Sequence, residues 1–143
     1  MSTAVRRSIY GKLAGDVTLG NLLAPAAAGY AHAIYHNQAP DDALFPLVVF
    51  NKSSGVPTQA FGDPAAFDTD IWQIKAIDRN STADNAEAIS ERIRTLLNDA
   101  NLSISGGTLM FLRRESDIEY PEESEGITYL HVGSLYRLVA DLA

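Results

Sequence analysis

Between Asp70 and Asp78 apolar and polar residues alternate with a period of two, placing Trp72, Ile74 and Ala76 on one face of a strand and Ile71, Gln73, Lys75 and Ile77 on the other. The first face reads as core and the second as mixed. Arg79 to Asp84 then breaks the alternation, and Ser81 with Asp84 has the form of a capping box, which predicts a helix from about Thr82. Along it Ala86, Ile89, Ile93, Leu96, Leu97 and Ala100 recur at steps of three and four, with Glu87, Glu91, Arg92, Arg94 and Asp99 on the remaining arc. An amphipathic helix lying on a sheet fits that pattern.

The same reading extends outward in both directions. Ser2 or Thr3 can cap a first helix whose stripe is Val5, Ile9 and Leu13, with Arg6, Arg7 and Lys12 outside it and Gly15 as its stop. Asp16 can cap a second, short helix through Val17, Leu19, Leu22 and Leu23, ended by Pro25. Ala33 to His36 has the β-branched and aromatic character of a short strand. Pro46 to Lys52 is a second strand, whose unbroken apolar middle suits either cover on both faces or cover on one and docking against another chain on the other.

Ser53 to Asp68 has no periodicity and carries Gly55, Pro57, Gly62 and Pro64, so it reads as a long loop. It is either a mobile hairpin tip or an arm whose Phe61 and Phe67 bury in a neighbouring subunit. After the central helix, Thr108 to Arg114 is a fourth strand and Ile127 to Ala140 a fifth, with Gly133 as a candidate bulge. Between them Glu115, Asp117, Glu119, Glu122, Glu123 and Glu125 make an acidic hairpin tip with no basic residue after Glu115. The expected fold is α+β: a mostly antiparallel sheet of about five strands, with two main helices on one face.

Length and charge narrow the function. A chain of 143 residues is expected to form a single domain spanning residues 1–143. No apolar run is long enough to cross a membrane, and the start lacks the features of a signal peptide, so the cytoplasm is the expected site of synthesis. With no cysteine, disulfides, thiolate metal sites and cysteine nucleophiles are excluded. A net charge of -7 argues against gripping nucleic acid by its phosphates, while leaving a surface that DNA can pass without sticking.

Candidate chemistry is sparse. His32 and His36 have the i, i+4 spacing of helical zinc ligands, but they fall where loop runs into strand, and no metal or cofactor is expected. The acidic run lacks the pocket that catalytic carboxylates need and the glycine-centred spacing of a calcium loop. Phosphate-binding and nucleophile-turn motifs are missing, so an enzyme is not expected unless His36, His131 and an acid converge.

Several stretches together carry a family likeness: the Ile9 to Leu23 helical lead, Ile34-Tyr35-His36 followed by Ala39-Pro40, Phe45 to Val49, Ile71 to Ile77, Ala86 to Ile93, Leu96-Leu97 and Tyr136-Arg137. With these landmarks the chain resembles the tail-completion or tail-terminator proteins of long-tailed bacteriophages and related prophage particles. The resemblance implies a structural virion protein of the tail or neck, assembled in the host cytoplasm. Its role would be as subunit of a hexameric homo-oligomeric ring that caps the tail tube, ends its polymerisation and forms the head-joining surface. The partners implied are the ring itself, the tail-tube protein and a head-completion or neck protein, with DNA passing through unbound. On that reading Phe61, Phe67, Gln73 and Lys75 are expected at subunit or tube contacts, and the six acids of the tip face the lumen. The alternatives are a head-closure or neck connector, or a small α+β module binding a ligand or peptide with the Gln73 and Lys75 face.

Overall fold

The computed structural model describes residues 2–60, 63–79 and 82–141. The elements run α1 (Ser2–Ala14), α2 (Val17–Leu22), β1 (Ile34–His36), β2 (Leu47–Ala60), β3 (Asp63–Asp78), α3 (Asp84–Leu97), β4 (Thr108–Ser124) and β5 (Ile127–Asp141). One five-stranded sheet has the order β1-β2-β3-β5-β4, with β1 parallel to β2 and the other pairs antiparallel.

All three helices contribute to the core on one face of this sheet. Val5, Ile9 and Leu13 of α1, Leu19 of α2, and Ala86, Ile89, Ile93 and Leu97 of α3 bury against Val48, Phe50, Trp72, Ile74, Ala76, Tyr136 and Leu138. The spacing of three and four on the helices meets the spacing of two on the strands, so each element turns its apolar set inward. The Asp16 carboxylate accepts from the Leu19 amide to cap α2, and takes Arg92 of α3 in a two-pronged ion pair at 2.8 and 2.7 Å. The hydrogen bond from Arg92 lowers the Asp16 pKa from 3.8 to about 2, tying the two helices together electrostatically.

Among the described residues, the opposite face is covered by the chain itself only at its β1–β2 end. There Ala27, Ala33, Tyr35, Leu47 and Val49 form a second cluster, packed with Phe45 and Ile77. The middle of β2 is thus covered on both faces within the chain, the first of its two expected arrangements.

Five expectations need correction. Ser2 and Thr3 lie inside α1 rather than capping it. The helix α3 starts at Asp84 after Ala83, which makes no side-chain cap bond; Asp84 and Glu87 in its first turn face the positive end of the helix dipole instead, and Ser81 lies outside the described residues. The expected loop over residues 53–68 is strand: β2 and β3 continue pairing from Ser54↔Ile71 to Ala60↔Asp63. A backbone ladder needs no apolar alternation, and beyond β1 this stretch of β2 is an edge, where Pro57 costs no ladder bond. Gly133 is no bulge but a close approach, since a Cβ there would stand 2.2 Å from the Ile74 carbonyl oxygen. The β4–β5 irregularities fall instead between Leu109 and Phe111 and between Arg114 and Ser116. The acidic segment is likewise mostly strand, closing at Glu125 (φ 52) and Gly126 (φ 77), two left-handed residues that suit the twist of a tight hairpin.

Candidate functional site

Beyond the cover of Phe45 and Ile77, the second sheet face is open. Ile71 and Gln73 of β3 stand beside Leu135, Arg137 and Val139 of β5, all only half-buried, because among the described residues the helices pack on the other face. Phe111 and Ile118 of β4 extend the same face, and at the other side Val56 of β2 is 62% exposed. Aliphatic groups interleaved with Gln73 and Arg137 make a surface that is too apolar for idle solvent contact and polar enough to remain soluble. Arg137 pairs there with Glu115 on β4.

Two hairpins extend from opposite ends of this sheet. At one end β2 and β3 run past the last β3–β5 pair, Phe67↔Asp141, to Ala60↔Asp63. Phe67 is therefore a half-buried strand residue, not an anchor on a free loop, and Phe61 lies outside the described residues. At the other end β4 and β5 run past Asp78↔Leu130 to Ser124↔Ile127. The six acids do not act alike. Glu115 pairs with Arg137, and Asp117 takes Arg114 at 2.6 Å and the Ser134 hydroxyl at 2.8 Å, which lowers its pKa. Glu119, Glu123 and Glu125 have no cation partner among the described residues, and Glu122 has only His131, its Oε1 3.5 Å from Nε2.

At the base of that hairpin a cluster forms that the sequence did not announce. Lys75 Nζ donates to the Tyr120 hydroxyl at 2.7 Å, and the Tyr120 ring stacks on the His131 ring with centroids 4.5 Å apart. His131 is 5% exposed and neither ring nitrogen has a hydrogen-bond partner. Burial, then the Lys75 charge, push its pKa down while Glu122 pulls it up. Phe45, Ile77 and Tyr129 join Lys75, Glu122 and His131 around a shallow cleft of about 540 Å³. Lys75 thus serves within the chain, whereas Gln73 faces the open sheet. The signal that could have found the cluster is register: Tyr120, His131 and Ile77 fall in one row across the sheet.

His36 lies on the other side of the sheet, its ring packed near Phe50 and Trp72 at centroid distances of 5.4 and 6.4 Å. The sheet separates it from His131, so the histidine-acid convergence that would support an enzyme does not occur. His32 precedes β1 in a bend, and among the described residues no group of three or more His, Asp or Glu side chains is arranged to hold a metal.

Sequence reasoning also missed two buried acids at the ends of the β3 core row. Asp70, 2% exposed, pairs with Lys52 at 3.3 Å where the β2–β3 arm leaves the core. Asp78, 5% exposed, accepts the Arg79 amide at 2.8 Å. Both continue the period of Trp72, Ile74 and Ala76, which was a visible cue that the row ends in polar locks.

Comparison with known proteins adds three findings. The family model for tail completion protein gp17 matches residues 7–129. No curated protein gives a significant match. Among solved structures, a chain from the virion of a native gene transfer agent (GTA) particle superposes with a TM-score of 0.72 at 18% identity, over 98% of this chain and 96% of that one. At that identity the likeness is one of fold.

Proposed function

The chain belongs to the tail completion protein gp17 family, and from that premise we propose that it is the subunit of a ring, hexameric when closed, that caps the tail tube, ends its polymerisation and offers the surface to which the head joins. It is a virion structural protein of the bacteriophage tail-completion kind. The observation that carries the ring reading is the open sheet face. Ile71, Gln73, Leu135, Arg137 and Val139 stay half-exposed on the middle of the sheet face opposite the helices, and burial against a neighbouring copy or the tube removes that apolar area from water.

The β2–β3 arm supports the same reading, because its backbone ladder runs on past the last β3–β5 pair. In a ring such an arm reaches the next subunit or the tube, with Phe61 and Phe67 as its contacts. The net charge of -7 suits a wall that DNA phosphates pass without being held.

The test is electron microscopy of particles made when the gene is disrupted in the phage or prophage that carries it. Tails of uneven or excessive length beside filled, unjoined heads are the expected result. Finished tails beside heads that leak DNA move the protein to a head-closure position at the neck, and normal infectious particles overturn both assignments.

A further inference from the structure

The cations of this chain are unevenly used. Arg92, Arg94, Arg113, Arg114 and Arg137 each pair with a carboxylate, as does Lys52. Lys75 bonds Tyr120, and Arg79 lies over the rings of Phe45 and Tyr129. The remaining three, Arg6, Arg7 and Lys12, all sit on α1, which contains no acidic residue, and none makes an ion pair or side-chain hydrogen bond among the described residues. Beside Arg7 is a cavity of about 570 Å³ between α1 and the segment leading into β4. Thr3, Arg7, Ser8, Ser103 and Ser105 line it, and no carboxylate does. Hydroxyls and a guanidinium without a neutralising acid form a surface complementary to a negatively charged group.

The complement lies on the same chain but out of its own reach. Glu119, Glu122, Glu123 and Glu125 crowd the β4–β5 tip, where β5 begins at Ile127. The cavity adjoins the segment that enters β4 at Thr108, which pairs with Asp141 at the far end of β5. The strand between them has 15 residues, a separation of about 50 Å at ~3.3 Å per residue. Two complementary surfaces at opposite ends of one subunit can meet only between subunits, and such a head-to-tail contact either closes into a ring or extends as a filament.

We propose that the cavity beside α1 receives the Glu122–Glu125 turn of a second copy of this chain, Arg7 pairing with the carboxylates of the incoming tip. This rests on the ring reading above and deepens it, because it gives the ring its direction. Each subunit presents its acidic tip to the next and receives one from the last. The contact is polar and adds to the apolar burial of the open sheet face, so it selects the orientation in which neighbours join.

The chain has no cysteine, so a pair introduced by Ser105→Cys and Ser124→Cys carries the only thiols. In particles assembled from this double variant and oxidised, a ladder of covalent multimers is expected, ending at the number of subunits in the ring, with no ladder from either single variant. A ring of this chain at the tail end without a ladder overturns the docking and leaves the ring reading standing. Tails that lack such a ring overturn the ring reading and the docking with it, and a tip joined to a different virion protein overturns the choice of partner.

Charge reversal reads the same contact independently. Glu123→Lys should lower incorporation into particles by about tenfold or more, and adding Arg7→Glu to the same chain should restore most of it. A tip that faces the DNA passage instead leaves incorporation unchanged on reversal, and that result also overturns the proposal.

Discussion

The two long hairpins are built from the same backbone ladder and differ in what their side chains do. The β2–β3 hairpin is locked at its root, where buried Asp70 meets Lys52, and beyond it the sequence runs to Ser, Thr, Gly and Pro with little charge. The β4–β5 hairpin is locked along its length by Arg137 with Glu115 and by Arg114 and Ser134 with Asp117, and it crosses a row of stacked rings before ending in free carboxylates. One is a polar arm with apolar anchors expected at its end, the other a braced strand pair with a charged tip. The contrast implies different duties, adaptable reach in the first and a fixed electrostatic surface in the second.

Five measurements break or sharpen that comparison. The largest effect is expected at Trp72, 1% exposed where the first hairpin leaves the core. Trp72→Ala should cost about 3–5 kcal/mol, read as a fall in the urea midpoint, and a loss below about 1 kcal/mol would mean the arm root is not part of the core. Next is Gly133→Ala, at the seam where β5 joins β3. With the Ile74 carbonyl in the way, strand backbone must shift, for about 1–3 kcal/mol, and an unchanged midpoint would show that the seam is slack.

A smaller effect is expected at Asp16, which belongs to neither hairpin and so serves as the reference for a local lock. Asp16→Ala removes the α2 cap and strands Arg92, at about 1–2 kcal/mol. Its folded pKa of about 2 lies below the ordinary 3.8, so the carboxylate's contribution is fully present above the ordinary value. It is lost as pH falls through about 4 to about 2. Acid unfolding of the wild type and Asp16→Ala should converge across that window, and curves that stay parallel would remove Asp16 as the cause.

The smallest effect on stability belongs to the arm. Phe61→Ser with Phe67→Ser should move the unfolding midpoint by no more than about 1 kcal/mol while abolishing assembly into particles. Unfolding of the isolated double variant would mean that the phenylalanines serve the fold and not a neighbour. Hydrogen exchange makes the same comparison without mutation: amides of residues 53–56 should exchange faster than those of residues 48–50, which lie between two strands over the core.

Where side chains bury, the sequence was legible. Trp72, Ile74 and Ala76 on β3 and Ala86, Ile89, Ile93 and Leu97 on α3 are the core residues their periods name, and the Asp16 cap and the β4–β5 pairing stand where the pattern places them. Where backbone alone makes the structure, the pattern was silent. Residues 53–60 pair as strand without alternating, and 53–56 are exposed. The candidate surfaces divide on the same line: Gln73 lies on the open face its alternation predicted, while Lys75 is drawn to Tyr120 and Phe67 into a strand.

By itself, then, the sequence determined the α+β class, the helix-covered sheet face and the family likeness, because burial leaves a periodic trace in a single chain. Tertiary structure alone decided which strands adjoin and hence that the two hairpins point to opposite ends. It also decided that His131 and Tyr120 stack, and that Arg6, Arg7 and Lys12 are left with open charge. Pair contacts depend on register across strands far apart in sequence, and register follows from the packing of the whole sheet rather than from any one segment's pattern.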